Sequence, residues 1–115
     1  MVYSMGTGSK GELGHGTVCS EQEPRLVEHL RPIKVVQVAC GAWHSVALTD
    51  GGEVYVWGWN KCGQLGDSCE PNEIIDIPFL LDLDDCVIQI HAVGHATFLR
   101  CSSNSTLAFG KADLI

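Results

Sequence analysis

Three glycines near the N-terminus have the spacing of a nucleotide-binding loop. Gly6, Gly8 and Gly11 form the pattern G-x-G-x-x-G directly after a short apolar run. In dinucleotide-binding loops such glycines let the backbone approach a pyrophosphate, which then faces the N-terminus of a helix. Residues 12–20 contain two more glycines and no apolar residues at helical spacing, so no helix is predicted there. The sequence therefore favours a glycine-rich connection over a nucleotide site.

His44 is the second feature that suggests chemistry, because an imidazole can act as a general base or a metal ligand. Trp43 and Ser45 flank it, and His95 lies near the equivalent position of a repeat described below. No Ser/His/Asp triad and no convergent pair of carboxylates can be argued from the sequence, and it has no H-E-x-x-H motif. A histidine that recurs beside a glycine turn is better explained as a buried ring bonded to backbone between strands. We therefore expect no catalytic residue, no metal site and no cofactor.

The composition is that of a folded, acidic chain. Its 115 residues are 45% hydrophobic and 18% charged, with a formal net charge of −7. Phosphate binding needs clustered Lys and Arg, and the chain has only seven of them, so direct nucleic-acid binding is not expected. Asp82, Asp84 and Asp85 form an acidic cluster that we interpret as a solvated loop. Without a long apolar run or a signal-peptide pattern, the predicted location is nuclear or cytoplasmic, neither secreted nor in a membrane.

Six cysteines lie at positions 19, 40, 62, 69, 86 and 101, and no two of them form a C-x-x-C pair. Zinc ribbons and redox dithiols use such pairs. In a chain without a secretion signal, this pattern predicts reduced thiols, several of them buried as small hydrophobic side chains. Disulfides and a metal site are the alternatives.

The chain repeats itself with a period of 52 residues. Residues 2–6 align with 54–58 and with 106–110, and residues 35–38 align with 87–90. The same shift aligns Gly11 with Gly63, Leu13 with Leu65 and Gly14 with Gly66. Repeats of about this length are typical of solenoids and propellers, in which each unit buries its apolar face against the next unit.

The content of one unit predicts antiparallel strands. Residues 35–39, 45–49 and 54–57 are short runs rich in β-branched or aromatic residues. Between the last two runs, Asp50, Gly51 and Gly52 form a tight turn of the kind that closes a hairpin. Three or four such strands in each unit of about 50 residues describe a propeller blade, and the predicted fold class is all-β.

The fourth strand of each unit is predicted just after a proline. These runs are residues 25–27 after Pro24 and residues 79–81 after Pro78, where proline suits an edge or the start of a strand. Residues 21–30 also fit a helix, because their apolar side chains have helical spacing and Pro32 would end it. A strand and a helix are therefore alternative predictions for this segment.

Three motifs in a fixed order resemble the repeat of the regulator of chromosome condensation family. They are CGAWHSVAL at 40–48, GEVYVWG at 52–58 and GQLG at 63–66, which match the family patterns C-G-x-x-H-s-x-A-L, G-x-v-y-x-W-G and G-Q-L-G. The resemblance implies a structural role for the repeated positions. These are Gly41, His44, Trp57, Gly58, Gly63, Gln64, Leu65 and Gly66, together with Gly6, Gly11, Leu13 and Gly14.

The resemblance also implies a seven-bladed β-propeller, of which this sequence contains about two units. We therefore expect one partial, open propeller domain over residues 1–115, with units at about 1–34, 35–86 and 87–115. The last unit departs most from the pattern. Phe109 stands in place of Trp57, as Met5 does in the first unit, and SSNS at 102–105 replaces the tight turn. His95 follows Gly94 directly, which suggests a motif two residues short.

The function implied by the resemblance is a non-enzymatic interaction scaffold, linked to chromatin or the nucleus. Its implied partner is a protein, either a Jumonji-type histone-modifying enzyme or another chromatin protein. Two alternatives remain. One is guanine-nucleotide exchange on a Ran-type small GTPase by the full-length protein. The other is a truncated fragment without independent function, whose exposed edge strands would make it marginally stable and prone to associate.

Two tryptophans are the candidate partner-binding residues. Trp59 directly follows Gly58 and Trp43 precedes His44, so both are predicted in turns at a propeller face, where aromatic side chains often anchor partners. Asn60 and Lys61 are predicted as the polar rim of this surface. The alternative is that both indoles pack over the adjacent hairpin. Trp57 ends an alternating strand and is predicted to lie in the blade core.

Overall fold

The computed structural model describes residues 1–61, 63–65 and 73–111, which form nine strands and one 3-10 turn. The first sheet contains β1 (Tyr3–Gly6) and β2 (Glu21–Leu26). The second contains β3 (Val35–Cys40), β4 (His44–Thr49), β5 (Val54–Trp59) and β6 (Ile74–Leu80), in that order. The third contains β7 (Val87–Val93), β8 (His95–Cys101) and β9 (Thr106–Lys111). All pairs are antiparallel, and the prediction of an open set of all-β propeller blades is confirmed.

The predicted hairpin between β4 and β5 is present. Its ladder runs from Leu48 opposite Val54 to His44 opposite Gly58. The third sheet forms the same hairpin with a different turn, because Asn104 has a φ of 69° at the position of Gly52, whose φ is 85°. Asparagine is among the few residues other than glycine that adopt this conformation readily. The irregular turn of the last unit therefore still closes a regular pair of strands.

Both strand prolines lie inside edge strands rather than before them. Pro24 is part of β2 and Pro78 is part of β6, and each strand has an irregular register beside its proline. Proline has no N–H to donate to a ladder, so it is tolerated at edges and bulges. The helix alternative for 21–30 is wrong, since this segment is strand β2 followed by a single 3-10 turn at Glu28–Leu30.

The core lies between the faces of successive sheets, as in stacked blades. Val46, Leu48, Val54 and Val56 of the second sheet form one buried cluster with residues of the third sheet, chiefly Val87, Ile90 and Leu99. A second cluster joins Val27, just before the 3-10 turn, and Leu30, its last residue, to Ala47 and Trp57. The second sheet thus buries one face against the third sheet and the other against Val27 and Leu30, which explains why the repeat does not stand alone.

Hydrogen bonds also join the second and third sheets. The side-chain amide of Gln37 donates to the Ile90 carbonyl oxygen at 3.0 Å and accepts from the Ile90 N–H at 3.1 Å. At one end of the sheets the Val87 N–H donates to the Gly52 carbonyl, and at the other the Ala42 N–H donates to the Gly94 carbonyl. The two sheets are therefore fixed to each other at both ends and in the middle.

The four cysteines within the described residues are free thiols. Cys19, Cys40 and Cys86 are exposed, and Cys101 is buried. The prediction of buried cysteines holds for Cys101 and is wrong for the other three, because Cys19 and Cys86 lie just before strands and Cys40 ends one. Cys62 and Cys69 lie outside the described residues. In the described part of the chain, no helix is long and apolar enough to cross a membrane.

Candidate functional site

His44 lies at the start of β4 with its side chain only 1% exposed. Its Nε2 is 2.9 Å from the hydroxyl oxygen of Thr97, and this hydroxyl donates to the Gln64 carbonyl at 2.6 Å. The threonine proton is used on the carbonyl, so Nε2 carries a proton and donates it to the threonine oxygen. His44 therefore bonds to the Thr97 side chain of the third sheet, and the backbone hydrogen bond that acts on its ring comes from Ala96 of the same sheet.

The burial of His44 decides its chemistry. Desolvation, with a smaller contribution from the positive form of His95, lowers the pKa of His44 from 6.5 to about 4. The ring is therefore neutral at pH 7. Its Nδ1 has no hydrogen-bond partner among the described residues and faces Gly41, where a Cβ would collide with the ring. Such a closed ring suits a structural role, because a general base needs access to substrate.

Between equivalent paired residues, the chain from β7 to β8 has as many residues as the chain from β3 to β4, one unit earlier. Cys40 pairs with Ser45, and 52 residues later Ala92 pairs with Thr97. Ala96 therefore stands at the position of His44, and the interpretation of a motif two residues short is wrong. His95 stands one residue earlier, at the position of Trp43.

The backbone carbonyls of Glu12 and Gln64, which are 52 residues apart, accept hydrogen bonds from hydroxyls that are also 52 residues apart. The Ser45 hydroxyl donates to the Glu12 carbonyl at 2.8 Å, as the Thr97 hydroxyl does to the Gln64 carbonyl. Trp57 is buried, and its indole N–H also donates to the Glu12 carbonyl at 2.8 Å. Phenylalanine at 109 has no such donor. Sequence reasoning missed Glu12 and Thr97, although their spacing of 52 from Gln64 and Ser45 was a usable signal.

Among the remaining signature positions, Gly6 ends β1 and Gly58 lies in β5, and the other described ones lie in the connections between strands. Leu13, Gln64 and Leu65 are buried. Positive φ angles occur at Gly6, Gly11, Gly14, Gly58 and Gly63. Gly66 lies outside the described residues.

The glycine-rich segment after β1 forms a connection and is not followed by a helix within the described residues. A Cβ at Gly8 would collide with the Cys19 carbonyl, so the chain's own packing explains this glycine. Within the described ranges, no group of three or more His, Cys, Asp or Glu side chains is arranged to hold a metal ion.

Trp43 and Trp59 form a half-buried aromatic pair at one end of the second sheet. Their ring centroids are 6.4 Å apart, and the rings meet edge to face at 76°. The backbone N–H of Trp59 donates to the backbone carbonyl of Trp43 at 2.9 Å. Trp59 is the last residue of β5, paired with Ile74, and not a loop residue as predicted. The ladder continues past Gly58 because β6 extends far enough to pair with it.

Two lysines lie over the Trp59 ring. The Nζ of Lys10 is 4.4 Å from the ring centroid, and the Nζ of Lys61 is 5.2 Å from it. Both distances are within the range of a cation–π interaction. We call Trp43, Trp59, Lys10 and Lys61 the tryptophan–lysine patch. Lys10 was not predicted, but it lies after β1 as Lys61 lies after β5, so consecutive units bring both lysines to the same end.

Asn60 does not belong to the exposed rim predicted for it. Its side chain is 1% exposed, and its Oδ1 accepts from the Leu65 N–H at 3.0 Å. Its backbone N–H donates to the Glu73 carbonyl at 2.8 Å. Asn60 is therefore a buried structural residue that joins the end of β5 to Leu65 and Glu73.

Two sequence models of one repeat family match the chain. The Regulator of chromosome condensation (RCC1) repeat matches at residues 1–48 and 51–99, and a second model with the same description matches at 35–64. These bounds cut the chain differently from the units at 1–34, 35–86 and 87–115, which stay a proposal.

Among curated relatives, mouse RCC1 domain-containing protein 1 is 53% identical over 64 residues, which are 56% of this chain and 17% of that protein. Human E3 ubiquitin-protein ligase HERC2 is 42% identical over 73 residues, which are 64% of this chain and 2% of that protein. The chain therefore spans a small part of the length of these relatives.

Two solved structures share the fold over nearly the whole chain. Human WBSCR16 is 32% identical with a TM-score of 0.79, and the match covers 95% of this chain and 29% of that one. Prp20p from Saccharomyces cerevisiae is 29% identical with a TM-score of 0.82, covering 94% and 28%. Because the repeat matches twice and spans most of the sequence, the chain belongs to the RCC1-repeat family of β-propeller proteins.

Proposed function

We propose that this chain is part of a non-enzymatic propeller scaffold that binds another protein, and that the whole protein is an adaptor linked to chromatin or the nucleus. The observation that supports this best is the Trp43–Trp59 pair, whose two residues are in contact and only half-buried. Tryptophans are enriched among the residues that contribute most to protein–protein affinity. A half-buried pair of indoles at the loop end of a blade is suited to this use.

The pair is held in place before any partner arrives. Trp59 belongs to the ladder between β5 and β6, and its N–H is bonded to the Trp43 carbonyl. Side chains fixed in this way lose little conformational entropy on binding, so more of their contact energy contributes to affinity. The site thus combines apolar area with a rigid support.

Relatives support a protein partner. The structure of Prp20p was reported with its binding properties to Gsp1p and histones, and Kap60 was solved bound to yeast RCC1 (Prp20). For this chain we propose a chromatin protein, either a Jumonji-type histone-modifying enzyme or histones themselves.

Binding to an immobilised chain, measured by interferometry, tests the proposal with purified core histones and a Jumonji-type histone-modifying enzyme as analytes. For the partner that binds, Trp59→Ala should weaken affinity by about tenfold or more, because it removes the central ring of the patch. Phe79→Ala is the matched control, since Phe79 is an exposed aromatic on β6. Equal effects of the two substitutions would show that the site is wrong. No binding of either analyte to the unaltered chain would contradict the adaptor function.

The alternative of nucleotide exchange has its own test. Release of a fluorescent guanine nucleotide from Ran should proceed at its spontaneous rate in the presence of this chain. A clear acceleration that Trp59→Ala abolishes would replace the scaffold proposal with exchange activity.

A further inference from the structure

The charged loops divide between the two ends of the sheets. Consecutive antiparallel strands place their connections at alternate ends. The connections β2–β3, β4–β5 and β6–β7 therefore share one end, and the Val87 to Gly52 hydrogen bond confirms that two of them meet. We call this the acidic end, because six carboxylates lie in these three connections. They are Glu28, Asp50, Glu53, Asp82, Asp84 and Asp85. The tryptophan–lysine patch lies at the opposite end.

The two lysines of the patch differ from Lys34 in their ion-pair partners. Lys34, at the acidic end, lies 3.9 Å from a carboxylate oxygen of Asp50. Among the described residues, no carboxylate lies within ion-pair distance of Lys10 or Lys61. The nearby Glu12 carboxylate accepts instead from the backbone N–H of Lys10 at 2.8 Å. The contact that the described residues give both ammonium groups is with the Trp59 ring.

The two ammonium groups are also close to each other. Both contact one ring, so their nitrogens lie within about 10 Å, roughly one Debye length at 0.1 M salt. Like charges at this distance repel, and a bound anion relieves that repulsion. In a chain of net charge −7, two of the seven basic residues converge on one tryptophan. This convergence is a local reversal of the overall charge.

We propose that the tryptophan–lysine patch binds an acidic segment of a partner protein. Carboxylates of that segment pair with Lys10 and Lys61, and the carbon atoms of its side chains lie on Trp59. The proposal rests on the protein-binding function above and adds the charge of the partner. A nucleic acid fits less well, because a continuous polyanion would meet the net negative charge of the chain beyond these two lysines.

Fluorescence anisotropy tests the proposal with a labelled peptide of alternating glutamate and glycine, and with the same peptide carrying glutamine for glutamate. The double variant Lys10→Gln/Lys61→Gln should bind the glutamate peptide about tenfold more weakly than the unaltered chain. The control is Arg31→Gln/Lys34→Gln, which removes the same charge from the acidic end and should change affinity less than about twofold. Thermal unfolding by circular dichroism checks that all variants fold.

Three results would overturn the proposal. One is equal weakening by the two double variants, because that would reflect net charge alone. Another is equal binding of the glutamine peptide. The third is tighter binding of a single-stranded DNA oligonucleotide that depends on Lys10 and Lys61. A partner protein whose binding is lost with Trp59→Ala but kept with Lys10→Gln/Lys61→Gln would uphold the protein-binding site and reject its acidic ligand.

Discussion

At the scale of single residues, His44 makes the stability of the fold depend on pH. The folded state holds its imidazole neutral with a pKa of about 4, and in the unfolded chain the pKa returns to 6.5. The unfolded state therefore takes up a proton first as the pH falls, so stability is complete above pH 6.5 and is lost toward pH 4. Between pH 7 and pH 5 the loss is about 2 kcal/mol.

Urea unfolding at these two pH values measures the loss, and His44→Gln should remove most of it. Burial also lowers the pKa of His15, so a smaller dependence of the same sign should remain in that variant. His29→Gln is the matched control, because it makes the same substitution at an exposed side chain. If His44→Gln and the unaltered chain lose equal stability at pH 5, the buried neutral imidazole is not the cause.

The sequence allowed some of these residues to be assigned but not their partners. The match to the repeat motif was enough to predict a buried His44 and a core Trp57, although Ala96 and Phe109 stand at these positions in the third unit. The Thr97 hydroxyl and the Lys10 ammonium come from other units, and their contacts depend on how neighbouring blades are placed. Asn60 was misassigned because a polar residue beside a turn looks exposed until its amide is seen bonded to Leu65.

At the scale of elements, Gly58 determines where β5 delivers Trp59. It has a φ of 117°, and a Cβ there would collide with the Trp43 carbonyl. Gly6, at the same position one unit earlier, has a φ of 105° but no atom within 4 Å of such a Cβ. A side chain at either position would therefore strain the backbone, but only a side chain at position 58 would also collide with other atoms.

Replacing each glycine with alanine separates these two effects. Gly6→Ala should cost about 1 kcal/mol of stability, and Gly58→Ala should cost at least about 2 kcal/mol more. Only Gly58→Ala should also weaken partner binding, because the collision displaces Trp43 from Trp59. Denaturant midpoints and the binding assay check both statements, and equal costs for the two variants would contradict them.

The strands themselves were predictable, while their ends were not. Alternating β-branched runs and the Asp50–Gly52 turn were enough to place β3, β4 and β5. The proline rule placed the edge strands but started them too late, because bulges accommodate Pro24 and Pro78 inside strands. The turn at 102–105 looked irregular, yet Asn104 supplies the positive φ that glycine supplies in the preceding unit.

At the scale of the whole molecule, Gln37 couples the second and third sheets through its two hydrogen bonds to Ile90. Gln37→Ala should lower the free energy of unfolding by about 1 to 2 kcal/mol, because both backbone groups of a half-buried strand lose a partner. It should also speed amide hydrogen exchange in β7. Gln89→Ala is the matched control, since Gln89 lies one repeat later and is exposed, and it should have little effect. Equal effects would mean that the amide does not couple the sheets.

The architecture followed from the 52-residue period, whereas the division of charge between the two ends did not. The period predicts stacked antiparallel units, and stacking fixes which loops share an end. Whether a lysine in such a loop reaches a tryptophan of the next unit depends on side-chain geometry, which no repeat pattern contains.

The most direct test of the proposed binding surface uses the chain's three tryptophans as reporters. In a ¹⁵N–¹H spectrum each indole N–H gives one signal, assigned by single Trp→Phe variants. Addition of the protein partner should shift the signals of Trp43 and Trp59 and leave that of Trp57, whose indole is buried against the Glu12 carbonyl. Binding that leaves the Trp43 and Trp59 signals unmoved would contradict the proposal that this pair is the partner-binding surface.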